Sequence, residues 1–326
     1  MMYWIQPSPG KGMGLFAGRA IRRGERISSE TPLCSQTLCE QSEEWYKMLK
    51  VQFDGLDPEG QATYLALPFR LELVRRRLYP LVKEYLADEE GINDEGALEE
   101  AFRRFLKIMA IFVANRIVIG SKVEDAFGIF AIRSRINHSC IPNASADFNE
   151  KTGHMEVYAV RDLEDGEEIT ISYIDVHFPS GLRNVILDAA YGFTCDCAAC
   201  EGPEKEVREE RRNRLFELQP TLYTMTHRYT YHAVPPTDTL QRNEDGLRLS
   251  YEYVALLKEE GIVGRELSKG YEYCGFWHLV KHEIQQATEF NEKAMENRRA
   301  WLGRELEFEG GEEGDGDDEE GDDEDE

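Results

Sequence analysis

Three cysteines lie within six residues, in the segment Cys195-Asp-Cys197-Ala-Ala-Cys200. Thiols this close together are typical of a metal site, and an odd total of seven cysteines does not favour a disulfide framework. A structural zinc site needs four ligands in a closed tetrahedron, so the fourth must come from elsewhere in the chain. Cys140 stands out among the other four because it lies in the segment Asn137-His-Ser-Cys-Ile-Pro-Asn143. Ordinary buried thiols are the alternative, but they do not explain three cysteines in one short turn.

Short strands are predicted on both sides of these segments. Apolar and polar residues alternate around Arg23-Gly24, which predicts two strands within residues 13–30 joined by a turn. Further strand patterns cover residues 126–132, 144–148, 155–161 and 168–173. The polar stretch 149–153 predicts a hairpin loop between the middle two.

Helical patterns occupy the remaining body of the chain. From about residue 31 to 124 the pattern is helical, and residues 98–118 carry apolar side chains at i, i+3, i+4 and i+7. The other predicted helices cover residues 42–53, 58–67, 204–219 and 245–300, with a break at Pro235-Pro236 before the last. Many short strands with helices in separate blocks predict an α+β fold.

Five segments, in order over residues 11–200, resemble motifs of the SET-domain protein lysine methyltransferases. They are Lys11–Phe16, Asn137–Asn143, Gly166–Tyr173, Tyr191–Phe193 and Cys195–Cys200. The long helical insertion and the continuation Tyr173-Ile-Asp175 most resemble the SMYD-type branch. That branch carries a MYND zinc finger in the insertion, whereas this insertion offers only Cys34 and Cys39. Two cysteines cannot close a zinc site, so we interpret the finger as absent and both residues as core or surface thiols.

The resemblance implies a domain organisation as well as a fold. Residues 1–200 are expected to form the SET domain, a β-fold of short strands with a pseudoknot in which one segment threads through a loop made by another. Within it we expect a helical insertion at about 31–125 and a post-SET zinc loop at 191–203. Residues 204–308 are expected to form a helical C-terminal region, followed by a disordered acidic tail at 309–326.

The resemblance implies a protein-lysine N-methyltransferase that uses S-adenosyl-L-methionine as methyl donor. A free lysine is mostly charged at neutral pH, so the amine must be desolvated and aligned before it can act as a nucleophile. A tyrosine-walled channel can do both. By resemblance Tyr173 and Tyr191 are the catalytic tyrosines. The residues expected to bind the cofactor are Lys11, Gly12, Met13, Asn115, Asn137, His138, Tyr191 and Phe193. The resemblance also implies one structural Zn²⁺ on Cys140, Cys195, Cys197 and Cys200.

Charge is unevenly placed along the chain. The formal net charge is −25, and residues 309–326 contain 13 acids and no base, which leaves −25 + 13 = −12 for residues 1–308. An acidic body disfavours direct binding of nucleic acid, whereas a basic protein substrate such as a histone or ribosomal protein fits. A solubilising tail is the alternative. The alternative to an enzyme is a catalytically silent SET module that binds a partner through this tail.

The sequence carries no sign of a membrane or export segment. No stretch approaches the roughly 20 apolar residues that span a bilayer, and the first residues do not resemble a signal peptide. We therefore expect no membrane partner and an intracellular location, in the nucleus, the cytoplasm or both. The sequence leaves the oligomeric state open.

Two further features are interpreted as structural. His278 and His282 share one face of a predicted helix, but their order with Glu283 is not that of a metalloprotease helix, which favours a solvated face over half a metal site. An aromatic cluster is formed by Tyr223, Tyr229, Tyr231 and His232. Core packing is favoured for it over a wall of a substrate groove.

Overall fold

The computed structural model describes residues 1–37, 45–119, 126–231 and 239–303. Cys39, the Pro235-Pro236 break, His232 and the acidic tail lie outside these ranges. No helix in the described ranges combines the length and the apolar character that crossing a membrane requires.

The strands in the described part of the chain are short, lie between residues 3 and 171, and form three small sheets. The strands are β1 (Tyr3–Ser8), β2 (Gly12–Ala17), β3 (Arg26–Glu30), β4 (Cys34–Thr37), β5 (Ile117–Val118), β6 (Ala126–Ile129), β7 (Asn137–His138), β8 (Ala144–Asn149), β9 (His154–Ala159) and β10 (Glu168–Ile171). The sheet orders are β1-β2-β10-β7, β3-β9-β8 and β4-β6-β5.

The strand β10 brings distant segments of the chain together. It pairs with β2 in the antiparallel sense and with β7 in the parallel sense, with Thr170 opposite Asn137 and Ile171 opposite His138. The amide of Ser139 extends this contact by donating to the carbonyl of Ile171 at 3.0 Å. Two of the SET-like segments, Asn137–Asn143 and Gly166–Tyr173, therefore lie side by side.

Four helices of the insertion enclose their own apolar core. They are α1 (Trp45–Asp54), α2 (Pro58–Leu65), α3 (Leu78–Asp88) and α4 (Glu95–Asn115). Helix α4 begins at Asp94, whose carboxylate accepts from the amide of Ala97, and buries Phe105, Met109 and Phe112 against the other three. The prediction of helix 98–118 is confirmed, with both ends shifted by three residues.

One part of the insertion differs from the prediction. Residues Cys34–Thr37 form strand β4, paired with β6, where the pattern predicted helix. The segment is short and carries no strong periodicity, so its pairing with β6 decides its conformation.

The C-terminal part of the described chain is helical. Its helices are α5 (Ser180–Tyr191), α6 (Ala198–Glu201), α7 (Lys205–Tyr231), α8 (Thr239–Glu260), α9 (Arg265–Val280) and α10 (Ile284–Leu302). The predicted end of α7 at residue 219, just before Pro220, is wrong. The helix continues because Leu218 and Leu222, on the two sides of Pro220, are both buried in the core shared with α8 and α9.

The two strands predicted within residues 13–30 are present, but they do not pair with each other. Gly24 has a φ of 82° and turns the chain between β2 and β3, yet the two strands belong to different sheets. The strand β2 pairs with β1, which the sequence analysis did not predict. The predicted strands at 126–132, 144–148, 155–161 and 168–173 correspond to β6, β8, β9 and β10.

Candidate active site

The four cysteines singled out from the sequence meet in one cluster. Cys140 follows β7, Cys195 and Cys197 precede α6, and Cys200 lies in α6. Their sulfur atoms all lie within 4.8 Å of one another. The Sγ–Sγ distances are 3.8 Å from Cys140 to Cys195, 3.6 Å from Cys140 to Cys200, and 3.8 Å from Cys197 to Cys200. A tetrahedron with Zn–S bonds of about 2.3 Å has edges of about 3.8 Å, so these thiols have the spacing that zinc requires.

An arginine that the sequence analysis missed contacts this cluster. Arg183 in α5 is buried, and its guanidinium donates to the carbonyl of Phe178 at 2.5 Å and approaches Sγ of Cys200 at 3.6 Å. A cation at this distance stabilises thiolate over thiol. No motif in the sequence pointed to it, because the partners of Arg183 at Phe178 and Cys200 are set by the fold and not by a local pattern.

The remaining described cysteines are core residues. Cys34 lies in the core of the insertion and Cys274 in the core of the C-terminal helices. Burial raises the pKa of Cys34 to about 12 and that of Cys274 to about 12. Of the two alternatives left open for Cys34, a core or a surface thiol, the structure shows the core one.

Asn137 joins the first hairpin to β10. Its Nδ2 donates to Oε1 of Glu168 at 2.8 Å and to the carbonyl of Met13 at 3.3 Å. Gly14 lies beneath this contact: a Cβ at that position would stand 2.7 Å from Glu168 Oε1 and 3.0 Å from Asn137 Nδ2. The close approach of the Glu168 and Asn137 side chains to the backbone therefore requires glycine at this position.

His138 connects the cysteine cluster to Tyr173. Its Nδ1 accepts from the main-chain amide of Tyr173 at 3.0 Å, and its Nε2 lies 3.3 Å from Sγ of Cys140. Acceptance at Nδ1 requires the ring proton to sit on Nε2, which faces the sulfur. Burial lowers the pKa of His138 to about 4, so the ring is neutral at physiological pH.

Three aromatic rings and His138 form a compact group. The ring of Tyr173 lies 4.8 Å from that of Tyr191, 5.4 Å from that of His138 and 6.4 Å from that of Phe193. The hydroxyl of Tyr173 donates to the carbonyl of Ile136 at 2.6 Å. Burial raises the pKa of Tyr173 to about 12, so the phenol stays protonated at neutral pH.

The family model for the SET domain matches residues 12–174, which is half of the chain. The chain belongs to the SET-domain family. That prediction is confirmed, and with it the expectation of short strands, a helical insertion and a helical C-terminal region.

Curated relatives are methyltransferases of this family. Histone-lysine N-methyltransferase set5 of Schizosaccharomyces pombe is 28% identical over 235 residues, which cover 69% of this chain and 59% of that protein. Histone-lysine N-methyltransferase SMYD3 of Homo sapiens is 33% identical over 133 residues, 40% of this chain and 30% of that protein. The likeness to SMYD3 supports the SMYD-type branch. The matches thus span less than two thirds of either relative.

Among solved structures, Rubisco LSMT bound to AdoMet overlaps 92% of this chain and 88% of that chain. The sequence identity is 11% and the TM-score 0.37.

The first hairpin of the SET domain touches the cysteine loop. Nζ of Lys11 lies 3.3 Å from Oδ1 of Asp196, between Cys195 and Cys197. Gly12 has a φ of 79°, which favours glycine, and a Cβ there would meet nothing within 4 Å. Met13 is exposed. The backbone at Gly12 is therefore open enough for a ligand to approach it.

Asn115 is the predicted site residue that lies within the insertion. It is the last residue of α4 and is buried. Its Nδ2 donates to the carbonyls of Pro68 at 2.7 Å and Ile111 at 2.8 Å. These bonds fix the end of α4 against the chain that follows α2, and a role toward a cofactor stays a prediction.

A cavity of about 400 Å³ opens between the SET strands and the C-terminal helices. It is lined by both chain neighbours of Tyr173, namely Ser172 and Ile174, and by Arg133, whose guanidinium lies 5.7 Å from the Tyr173 ring centroid. Asp147 in β8 and Glu266 in α9 line the other walls. No sequence pattern predicted this cavity, because its walls come from elements far apart in the chain.

The interpretation of His278 as part of a solvated helix face is wrong. His278 is buried, with Nδ1 2.6 Å from Oε2 of Glu283 and Nε2 2.7 Å from the hydroxyl of Tyr251. His282 lies beyond the end of α9, with a φ of 60°. The two histidines therefore do not share a helix face. In the aromatic cluster, Tyr223 is exposed and its ring stacks on that of His227 at 5.3 Å.

Proposed function

We propose that the chain is an S-adenosyl-L-methionine-dependent protein-lysine N-methyltransferase. The observation that carries the proposal is the parallel pairing of β7 with β10. It places Tyr173 against His138 at one end of a group of aromatic rings that includes Tyr191 and Phe193. Membership of the SET-domain family supports the same reaction class.

The residues of the first hairpin fit a bulky, charged cofactor. The open backbone at Gly12 leaves room for a ligand, and Lys11 and Met13 flank it. We assign cofactor binding to Lys11, Gly12, Met13, Asn137, His138, Tyr191 and Phe193, with Asn115 as a further candidate. The half-buried ring of Phe193, 6.0 Å from the ring of His138, offers an apolar face to the adenine. When bound, S-adenosyl-L-methionine supplies a methyl group on a positively charged sulfur.

We assign to Tyr173 the role of binding the reacting amine by a hydrogen bond. Its hydroxyl already donates to the carbonyl of Ile136, so its oxygen lone pairs are left to accept a hydrogen bond from a substrate N–H. That contact orients the nitrogen lone pair along the line of attack. Tyr173 would hold the amine in this orientation while its nitrogen takes the methyl group that the bound cofactor would supply. The resulting methylammonium later loses a proton to water.

Tyr191 is assigned to the same wall of the proposed channel as Tyr173, since the two ring centroids are 4.8 Å apart. It ends α5, and Gly192, with a φ of 76°, turns the chain directly after it. The guanidinium of Arg70 packs so closely on Gly192 that a Cβ would stand 2.4 Å from its carbon. The two rings are in contact and tilted by 44°, so they form one apolar surface that would shield a lysine amine from water. Loss of hydration disfavours the charged form and lowers the pKa of that amine.

We assign one structural Zn²⁺ to Cys140, Cys195, Cys197 and Cys200. The sulfur spacing near 3.8 Å and the nearby Arg183 cation support this assignment. Thiolates need a compensating charge when four of them are buried together, and a divalent cation provides it. Because Cys140 lies two residues after His138, the metal also fixes the loop that carries the site.

The proposed organisation follows these assignments. Residues 1–200 form the SET domain with its insertion and post-SET loop, residues 204–308 the helical C-terminal region, and residues 309–326 an acidic tail. The cavity beside Ser172 and Ile174 is the proposed approach for the substrate lysine. The acidic chain favours a basic protein substrate.

Two measurements test the proposal. The first is a labelling assay in which the purified chain and isotopically labelled S-adenosyl-L-methionine are added to a cell extract, with tandem mass spectrometry of labelled bands. Methylation of a lysine side chain is the expected result. The second is a calorimetric titration with the same cofactor. Cofactor binding without methylation of any lysine would favour the catalytically silent SET module, and no binding would overturn both.

A further inference from the structure

A buried arginine of the C-terminal helices contacts the two segments that carry the proposed site. Arg212 lies in α7 with 1% of its surface exposed. Its Nη2 donates to the carbonyl of Cys140 at 3.0 Å, and its Nη1 donates to the carbonyl of Val176. Its Nε donates to Oε2 of Glu260 at 3.0 Å. One planar guanidinium therefore joins the segment around Cys140, the chain after Tyr173 and the end of α8.

Glu260 makes the burial of this arginine possible. It is the last residue of α8, is fully buried, and also pairs with Arg211 at 3.1 Å and with Arg208 at 3.5 Å. A buried guanidinium without a counter-charge is strongly unfavourable, so Arg212 depends on Glu260. A buried ion pair adds little net stability compared with apolar residues of the same volume. What distinguishes Arg212 is therefore its two hydrogen bonds to main-chain carbonyls.

The contact at Cys140 continues to the catalytic tyrosine. Cys140 Sγ lies 3.3 Å from Nε2 of His138, and Nδ1 of the same ring accepts from the amide of Tyr173. Val176 follows Tyr173 by three residues, so Arg212 holds the chain on both sides of this link. A shift of Arg212 would therefore change the position of Tyr173 without any contact between the two side chains.

We infer that Arg212 and Glu260 form a positioning pair through which the C-terminal helices hold the metal-binding loop and Tyr173 in register. The inference rests on the proposed zinc site and the proposed reaction. It predicts that the pair affects metal retention and turnover more than it affects the stability of the fold.

The experiment replaces both members of the pair. Arg208 and Arg211 lose Glu260 but keep Glu204 and Glu259 as partners, so no lone buried charge remains. The double variant Arg212→Met with Glu260→Leu removes both charges and keeps the volume apolar, so it is expected to fold. The matched control is Arg214→Met with Glu252→Leu. That pair joins the same two helices through bonds of 2.6 and 3.1 Å, but the bonds of Arg214 run to Glu252 and Glu217 only.

Three readouts are compared in the zinc-loaded full chain. They are the rate of zinc release to an excess of chelator, hydrogen exchange in residues 136–143 and 173–178, and kcat against the Kd of S-adenosyl-L-methionine. For Arg212→Met with Glu260→Leu we expect zinc release about tenfold faster, kcat about tenfold lower and faster exchange in both segments, at an unfolding temperature close to that of the control variant. The control variant should match the wild type in all three.

Zinc release and hydrogen exchange equal to those of the control would overturn the inference, because the pair would then be only an ion pair between helices. If the double variant does not fold, Arg212→Lys replaces it. Lysine keeps a charge near Glu260 but lacks the planar fork that reaches two carbonyls. Wild-type metal retention in Arg212→Lys would also overturn the inference. Faster exchange and zinc release in a protein that methylates no lysine would leave the positioning role standing and remove the proposed function.

Discussion

The main-chain amide of Tyr173 donates to Nδ1 of His138 at 3.0 Å, across the only parallel strand pair in the described residues. The same imidazole meets Cys140 through its other nitrogen at 3.3 Å. A single buried ring thus joins the candidate metal cluster to the residue proposed to hold the substrate amine. The neutral state of the ring is set by burial, and its tautomer by the Tyr173 amide.

Asn137→Ala should weaken binding of S-adenosyl-L-methionine by about 1–3 kcal/mol, because a polar group of the bound cofactor would be left unpaired. The Met13 carbonyl and the Glu168 carboxylate also lose the donor that fixes the first hairpin. Calorimetry on the folded variant measures the change. Asn93→Ala is the control, since Asn93 is exposed and bonds only locally, to the carbonyl of Gly91. Equal dissociation constants for Asn137→Ala and the wild type would remove Asn137 from the cofactor site.

Gly14→Ala should lower cofactor affinity and the unfolding temperature together. The added methyl would stand 2.7 Å from Glu168 Oε1, so Glu168 and Asn137 must move apart and the first hairpin must shift. Thermal unfolding and calorimetry check both effects. Gly181→Ala, in α5, is the matched control because its Cβ would meet nothing within 4 Å. A Gly14→Ala protein that behaves like Gly181→Ala would show that this packing does not matter.

The zinc assignment predicts one metal ion per chain by elemental analysis, lost on treatment with chelator. Cys200→Ser should retain much less than one equivalent and unfold at a lower temperature, since metal binding contributes to folding. Cys274→Ser is the control: it is a buried cysteine of the C-terminal core, outside the cluster. Full metal content in Cys200→Ser, or metal loss in Cys274→Ser, would contradict the assignment.

Deletion of residues 309–326 should raise the KM for a basic protein substrate at low salt and leave kcat unchanged. Thirteen acids attract a basic partner over a long range, and the screening length falls from about 30 Å at 0.01 M salt to about 8 Å at 0.15 M. The difference between the full and truncated chains should therefore disappear as salt is added. An uncharged peptide substrate is the control. Equal KM values at low salt would make the tail a solubility feature.

The parts of the site that could be predicted from the sequence are those whose chemistry restricts residue type. Three thiols in six residues indicate a metal site wherever the chain folds, and the sequence motif around Cys140 singled it out as the fourth. The structure brings all four sulfur atoms within 4.8 Å of one another. By contrast, Arg212 stands 72 residues from the Cys140 carbonyl that it contacts, and nothing in an arginine-rich helix marks it. His278 was misinterpreted for a similar reason, because its partners Tyr251 and Phe290 come from other helices.

The fold, too, has parts that could be predicted from the sequence and parts that could not. The long apolar stripe of α4 predicted its position within three residues at each end, since burial of that face is a local property of the sequence. The strand β4 was missed because four residues carry little periodicity of their own, and its conformation depends on pairing with β6. The hairpin partner of β2 was missed in the same way, because β1 exposes four of its six residues and lacks a clear apolar face.

The most direct test of the account compares Tyr173→Phe with the wild type on a verified substrate. The quantity measured is lysine methylation per enzyme per minute by mass spectrometry, beside the calorimetric Kd of S-adenosyl-L-methionine. The account predicts that turnover falls by about 100-fold while the Kd stays the same, because the lost hydroxyl contacts the amine and not the adenosyl group. Wild-type turnover in Tyr173→Phe, with the substitution and the methylated lysine both confirmed, would contradict the assignment of this tyrosine to the reaction.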